Sequence, residues 1–212
     1  MTNEEIVEKL NSTKSSDRRR AAKEIGKKII VELGDDLYKK YLEEIKDKKR
    51  WETQCEMIKS LGIINYKNAM GNIEKIVTDN ISHDAVTICA ATTYVQLKRQ
   101  SLNDGLPVLE LLEFGRISVI IGSLMALAYD KMVPDDNTIE KIIKLCWDLH
   151  IHNDISVGIS GGRKYLAIAC ANWDKKLTER ILNHYIQTAG KDNNLIDVCN
   201  NSLKGKYSKS YL

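Results

Sequence analysis

Residues 82–99 read Ser-His-Asp-Ala-Val-Thr-Ile-Cys-Ala-Ala-Thr-Thr-Tyr-Val-Gln-Leu-Lys-Arg, and no other stretch limits the fold as much. Val86, Cys89, Ala90, Thr93 and Leu97 recur at helical spacing, while Ile88, Ala91 and Val95 make a second apolar row beside them. A helix with two such rows must be covered on two sides. Similar small-residue helices come before and after it, each preceded by a more amphipathic one. A lone pair of this kind leaves apolar surface in water, so neighbouring pairs have to stack.

Composition points the same way. Two prolines, one Phe and an abundance of Ile, Leu, Ala, Glu and Lys favour helix and leave an all-β fold without support. With 43% hydrophobic and 29% charged residues the chain carries enough apolar material for a core, which argues against disorder. A formal net charge of +3 is too small to mark the whole chain as nucleic-acid binding. Cys55, Cys89, Cys146, Cys170 and Cys199 are odd in number, contain no C-x-x-C and sit in apolar helical patterns, so reduced core thiols are expected. The first residues show no basic segment followed by an apolar run, and no stretch approaches the ~20 apolar residues of a membrane span. The expectation is a cytoplasmic protein with no membrane partner.

Taken in order, Thr2 and Glu5 have capping-box spacing for a helix from Asn3 to Leu10. Asp17 is the expected N-cap of a second helix that Gly34 ends. Helices then follow at about Asp36–Lys48, Trp51–Ile64, Ala69–Val77 and 82–99. Asp104-Gly105-Leu106-Pro107 leads into a helix with Pro in its first turn, and Ile117–Tyr129 is apolar nearly all round. Asn137 and Glu140 have capping spacing for Thr138–Leu149. Arg163–Trp173, Leu177–Ala189 and Leu195–Leu203 complete the set, and Lys204 to Leu212 reads as a frayed polar tail.

The second helices match one another. Ala21-Ala22-x-x-Ile25-Gly26, Met57-Ile58-x-x-Leu61-Gly62 and Ala90-Ala91-x-x-Tyr94-Val95 recur at intervals of about 33 to 36 residues. The run Asp17-Arg18-Arg19-Arg20-Ala21-Ala22-Lys23-Glu24-Ile25-Gly26, and more faintly Asp84 through Ala91, resembles the second-helix pattern of HEAT and armadillo repeats. That resemblance implies an all-α, right-handed α-solenoid of about six stacked antiparallel helix pairs, a single domain over residues 1–203.

Several residues are candidates for contact with a partner. The first third is basic, with Lys14, Arg18, Arg19, Arg20, Lys23, Lys27, Lys28, Lys39, Lys40, Lys46, Lys48, Lys49 and Arg50. A cation in a helix's first turn opposes the dipole by about 0.3 kcal/mol or more, so three arginines directly after a cap imply an anion. A phosphate or a nearby carboxylate such as Asp17, Glu24 or Asp35 would serve. Arg116 and Arg163 also begin second helices and, with Arg18 to Arg20, would line one edge of a stack; inter-repeat ion pairs are the plainer account. His150, His152 and Asp154 alternate as metal ligands can, although a polar loop is the simpler reading. Gly158 to Gly162 lacks the Gly-Lys-Ser/Thr of a P-loop and reads as an inter-helix loop.

Trp51, Trp147 and Trp173 are core rings or partner-facing anchors. Some HEAT-like proteins are alkylpurine DNA glycosylases, whose sites use tryptophans and an aspartate in a concave basic groove. Trp147-Asp148 and Trp173-Asp174 resemble fragments of that arrangement, while the family's second acidic position is Ile151 here. No Ser-His-Asp order, Cys-His pair or carboxylate pair stands out. The expectation is a non-catalytic scaffold, with no cofactor and no metal, whose concave face binds another macromolecule. A protein partner comes first, as for an adaptor or a toxin-neutralising immunity protein. Nucleic acid at the basic first third comes second, with the glycosylase as its catalytic form. The expected contacts are Arg18, Arg19, Arg20, Arg50, Trp51, Arg116, Trp147, Arg163 and Trp173.

Overall fold

The protein is seen in a computed structural model that describes residues 1–148 and 161–208, and among the described residues twelve α-helices follow one another in consecutive pairs. Among the described residues there is no strand, and no helix is long and apolar enough to cross a membrane. The chain divides into two compact units, Met1–Lys98 and Arg99–Leu212.

The first unit holds α1 (Asn3–Leu10), α2 (Ser15–Lys28), α3 (Gly34–Glu44), α4 (Trp51–Ile63), α5 (Met70–Asp79) and α6 (Ala85–Lys98). Each odd helix packs on the even one that follows, and α2, α4 and α6 pack side by side. Their self-matching positions Ala21, Ala22, Ile25, Met57, Ile58, Leu61, Ala90, Ala91 and Tyr94 are all buried, so the repeated pattern marks the face each helix turns to the core. α6 packs on α4 and on α5, as its two apolar rows require.

Register between these helices is held by polar pins. The Ser60 hydroxyl donates to the carbonyl of Ala22 at 2.7 Å, and the Thr93 hydroxyl donates to that of Ile58 at 3.0 Å. Each acceptor is followed one turn later by a glycine against the same neighbour. A Cβ on Gly26 would stand 2.7 Å from Ser60 Oγ and 3.3 Å from Ser60 Cα, and one on Gly62 would meet Thr93 and Gln96. Bare backbone is needed because the helices approach this closely.

The second unit repeats the plan with α7 (Leu106–Phe114), α8 (Ile117–Tyr129), α9 (Asp136–Asp148), α10 (Gly162–Ala169), α11 (Lys175–Thr188) and α12 (Asn193–Leu203). Here α8, α10 and α12 pack in one row and α7, α9 and α11 in another. The Ser202 hydroxyl donates to the carbonyl of Ala167 at 2.6 Å, a third pin of the same kind.

Some local expectations are corrected. α2 begins at Ser15, so Asp17 lies inside its first turn, where it accepts from the Ser12 hydroxyl at 3.1 Å instead of capping. α2 stops at Ile29 in the left-handed region, and Gly34 opens α3 against the Tyr66 ring. α9 is capped by Asp135, whose carboxylate accepts the Thr138 N–H at 3.0 Å, and not by Asn137. The C-terminal segment is docked at least through Ser208, which is buried and accepts from Asn201 at 3.1 Å.

Candidate binding groove

α2 and α4 face a common hollow with matching rows, although α4 is buried over most of its circumference and Cys55 in its row is itself buried. On α2 the row is Ser16, Arg19, Arg20 and Lys23; on α4 it is Glu52, Cys55, Glu56 and Lys59, with the same i, i+3, i+4, i+7 spacing. Together with Trp51 these residues line one hollow of about 540 Å³ within the first unit. Trp51 begins α4 and is 48% exposed. Beneath it the Ser15 and Thr53 hydroxyls meet at 2.8 Å, tying the two helix starts together.

Charge in the hollow is unbalanced. Arg19 pairs with Glu52. Arg20, Lys23, Lys59 and Glu56 make no ion pair among the described residues, which leaves three cations against one carboxylate. Cys55 lies at the edge of this field, with its thiol facing Cys89 of α6. Contact with Cys89, and then burial, push the Cys55 thiol above its ordinary value, so it stays protonated at neutral pH.

Only part of the expected contact set meets here. Arg19, Arg20 and Trp51 do. Arg18 points the other way and is 7% exposed; its guanidinium pairs with the buried Glu44 and donates to the Ser12 carbonyl at 2.6 Å. Arg50 joins that network, 3.1 Å from Asp47 and 3.8 Å from Glu44. The anion implied by the arginine run is thus the protein's own Glu44 for Arg18 and its own Glu52 for Arg19.

In the second unit Arg163 is buried, donating weakly to the Thr188 hydroxyl at 3.4 Å and lying 5.5 Å over the Tyr185 ring. Burial lowers its pKa from the ordinary guanidinium value. It turns inward, so it cannot line a surface edge with Arg116, which is exposed at the start of α8. Of the two readings of Trp173, core ring and partner-facing anchor, it takes the first: it is 4% exposed and its indole N–H donates to the Met132 carbonyl at 2.9 Å, so it leaves the expected contact set. Asp174 caps α11 by accepting the Lys176 N–H at 2.8 Å, which accounts for the Trp173-Asp174 pair without a ligand.

Trp147 is half-buried beside a smaller hollow of about 320 Å³ between α9 and α11, lined also by Glu140, Lys144 and Arg180. The Arg180 guanidinium lies 5.2 Å over its ring, and the His184 ring is 4.6 Å away. This Trp is already covered by a cation and an imidazole. His150, His152, Asp154 and Gly158 lie outside the described residues, as does the side chain of Asp148. Among the described residues no group of three His, Cys, Asp or Glu side chains is placed to hold a metal ion.

Lys59, Glu52 and Glu56 belong to the groove without having been candidates, and Lys23 joins it from the basic first third. Their signal was present: two polar rows of one spacing, set about 36 residues apart, on helices whose apolar positions repeat at the same interval.

No protein-family model matches the chain, and no curated protein matches it. Two crystal structures of engineered proteins from the Northeast Structural Genomics Consortium are similar over nearly the whole length. One is 16% identical with a TM-score of 0.44, covering 97% of this chain and 98% of that chain. The other is 17% identical with a TM-score of 0.42, covering 99% of this chain and 100% of that chain.

Proposed function

We propose that this chain is a degenerate HEAT-type scaffold without catalytic chemistry of its own, and that it binds a protein partner through the groove between α2 and α4. One observation carries the reading: three cations without ion-pair partners among the described residues share a hollow with a half-exposed tryptophan. Cations brought together in this way repel one another until an anion arrives, whereas solvated lysines scattered on a surface do not. Tryptophan and arginine are also the side chains most enriched among residues that dominate interface energies. Such a surface suits an adaptor and a toxin-neutralising protein equally.

The nucleic-acid reading draws on the same cations. Its glycosylase form loses support because Trp173 and Asp174 are engaged as a core ring and a helix cap. The test is affinity capture from extracts of the native cell, with the wild type beside the double variant Arg20→Glu, Lys59→Glu. The expected result is a protein retained by the wild type, released by the variant and indifferent to nuclease. Equal retention by both, or retained material that nuclease removes, would overturn the reading.

A further inference from the structure

We infer that the α2–α4 groove receives a short acidic peptide segment carrying a bulky apolar side chain, and not a nucleic-acid backbone; this rests on the groove being the contact surface proposed above. The first reason is that the positive charge is local. Aligned by the repeat, the row on α6 that follows Glu52, Cys55, Glu56 and Lys59 is Ala85, Ile88, Cys89 and Thr92, which bears no charge. A nucleic-acid strand presents one phosphate per ~3.4 Å and is held by cations that continue along it. Here, across the repeat, the cations stop after two helices, a span of about 10 Å.

The second reason is the carboxylate among them. Glu56 faces the same hollow without an ion pair among the described residues. A phosphodiester chain offers only acceptors to it and repels it. A peptide offers carboxylates to Arg20, Lys23 and Lys59, and backbone N–H donors to Glu56. The third reason is Trp51, whose exposed ring gives an apolar side chain a face to pack on beside the charges. A hollow of about 540 Å³ falls within the range that encloses a ligand of a few residues.

The test is fluorescence anisotropy with three labelled probes at low and near-physiological salt: a synthetic peptide repeating Glu-Asp-Leu, the same peptide with Lys for each acid, and a single-stranded DNA oligonucleotide. The acidic peptide is expected to bind, and the basic peptide not. DNA should bind roughly tenfold more weakly than the acidic peptide or not at all. Arg20→Glu, Lys59→Glu and Trp51→Ala should each weaken the acidic peptide roughly tenfold, with unchanged melting temperature. Lys141→Glu, an exposed change on α9, should leave it as it was. Tighter binding of DNA, lost in Arg20→Glu, would overturn the inference and keep the groove as a contact surface. Failure of the acidic peptide to bind, or binding indifferent to all three groove variants, would also overturn it. If the capture experiment still releases a protein from the Arg20, Lys59 double variant, only the acidic-peptide assignment falls; if it does not, the contact-surface reading falls as well.

Discussion

Arg18 and Arg20 stand two positions apart on α2 and end in opposite environments. Arg18 is enclosed with Glu44, and removing one partner of a buried ion pair strands the other, at a cost of about 3–5 kcal/mol. Arg18→Ala should therefore lower the urea midpoint sharply, while Arg20→Ala should move stability by no more than about 0.5 kcal/mol. Equal effects would contradict the separation of framework from contact residues. Residue type alone cannot make that separation, since an arginine's burial depends on a carboxylate 26 positions away. Ile29 offers an independent check. It ends α2 at φ 54°, ψ 51°, where a β-branched side chain is crowded, and it is 60% exposed. Asn65 and Asn80 take the same region after α4 and α5. Ile29→Gly or Ile29→Asn should raise stability by about 1 kcal/mol in urea denaturation; a loss would show that the Ile side chain is needed there.

Between elements, the pins and glycines decide how closely the second helices approach. Gly26→Ala sets a Cβ against Ser60 backbone, not merely against a flexible tip, so α2 and α4 must separate. A loss of about 1–3 kcal/mol is expected, and because the groove lies between the same two helices, the acidic peptide should bind less well too. The pairing of helices and the small-residue core were legible in the spacing of Ala21-Ala22, Met57-Ile58 and Ala90-Ala91. The groove was half legible. Arg19, Arg20 and Trp51 announced themselves by type, whereas Lys59 and Glu56 join them only through the register that Gly26 and Ser60 set. Caps were legible only in part, because the N-cap of α2 is Lys14, with no side-chain cap bond, and at α9 neighbouring Asp and Asn residues compete for the start. Asp135 won at α9, where bonds from the Thr138 hydroxyl and N–H lower its pKa from 3.8. A depressed folded value means its contribution is present above that ordinary value and lost as pH falls through the lower one. Asp135→Asn should accordingly flatten the acid limb of the stability profile, measured by thermal melts from neutral pH to below 3.8.

Across the whole molecule, the described residues place every cysteine indoors and unpaired by disulfide, as the apolar settings of the five residues implied. Burial pushes the Cys146 and Cys170 thiols well above their ordinary range and Cys199 up to about 12. None of these three should react with an alkylating reagent at neutral pH until the second unit opens, so their labelling in urea should track its unfolding. Early labelling of any one would mean a looser core. The central claim, that the groove between α2 and α4 is where a protein partner sits, is tested most directly by photocrosslinking in the native cell. A benzophenone amino acid replaces Trp51 in one strain and Lys141, exposed on α9, in another. Discrete adducts at position 51 that protease removes and nuclease does not, with none at 141, are the predicted result. Adducts of equal yield at both positions, or adducts at 51 that only nuclease removes, would contradict it.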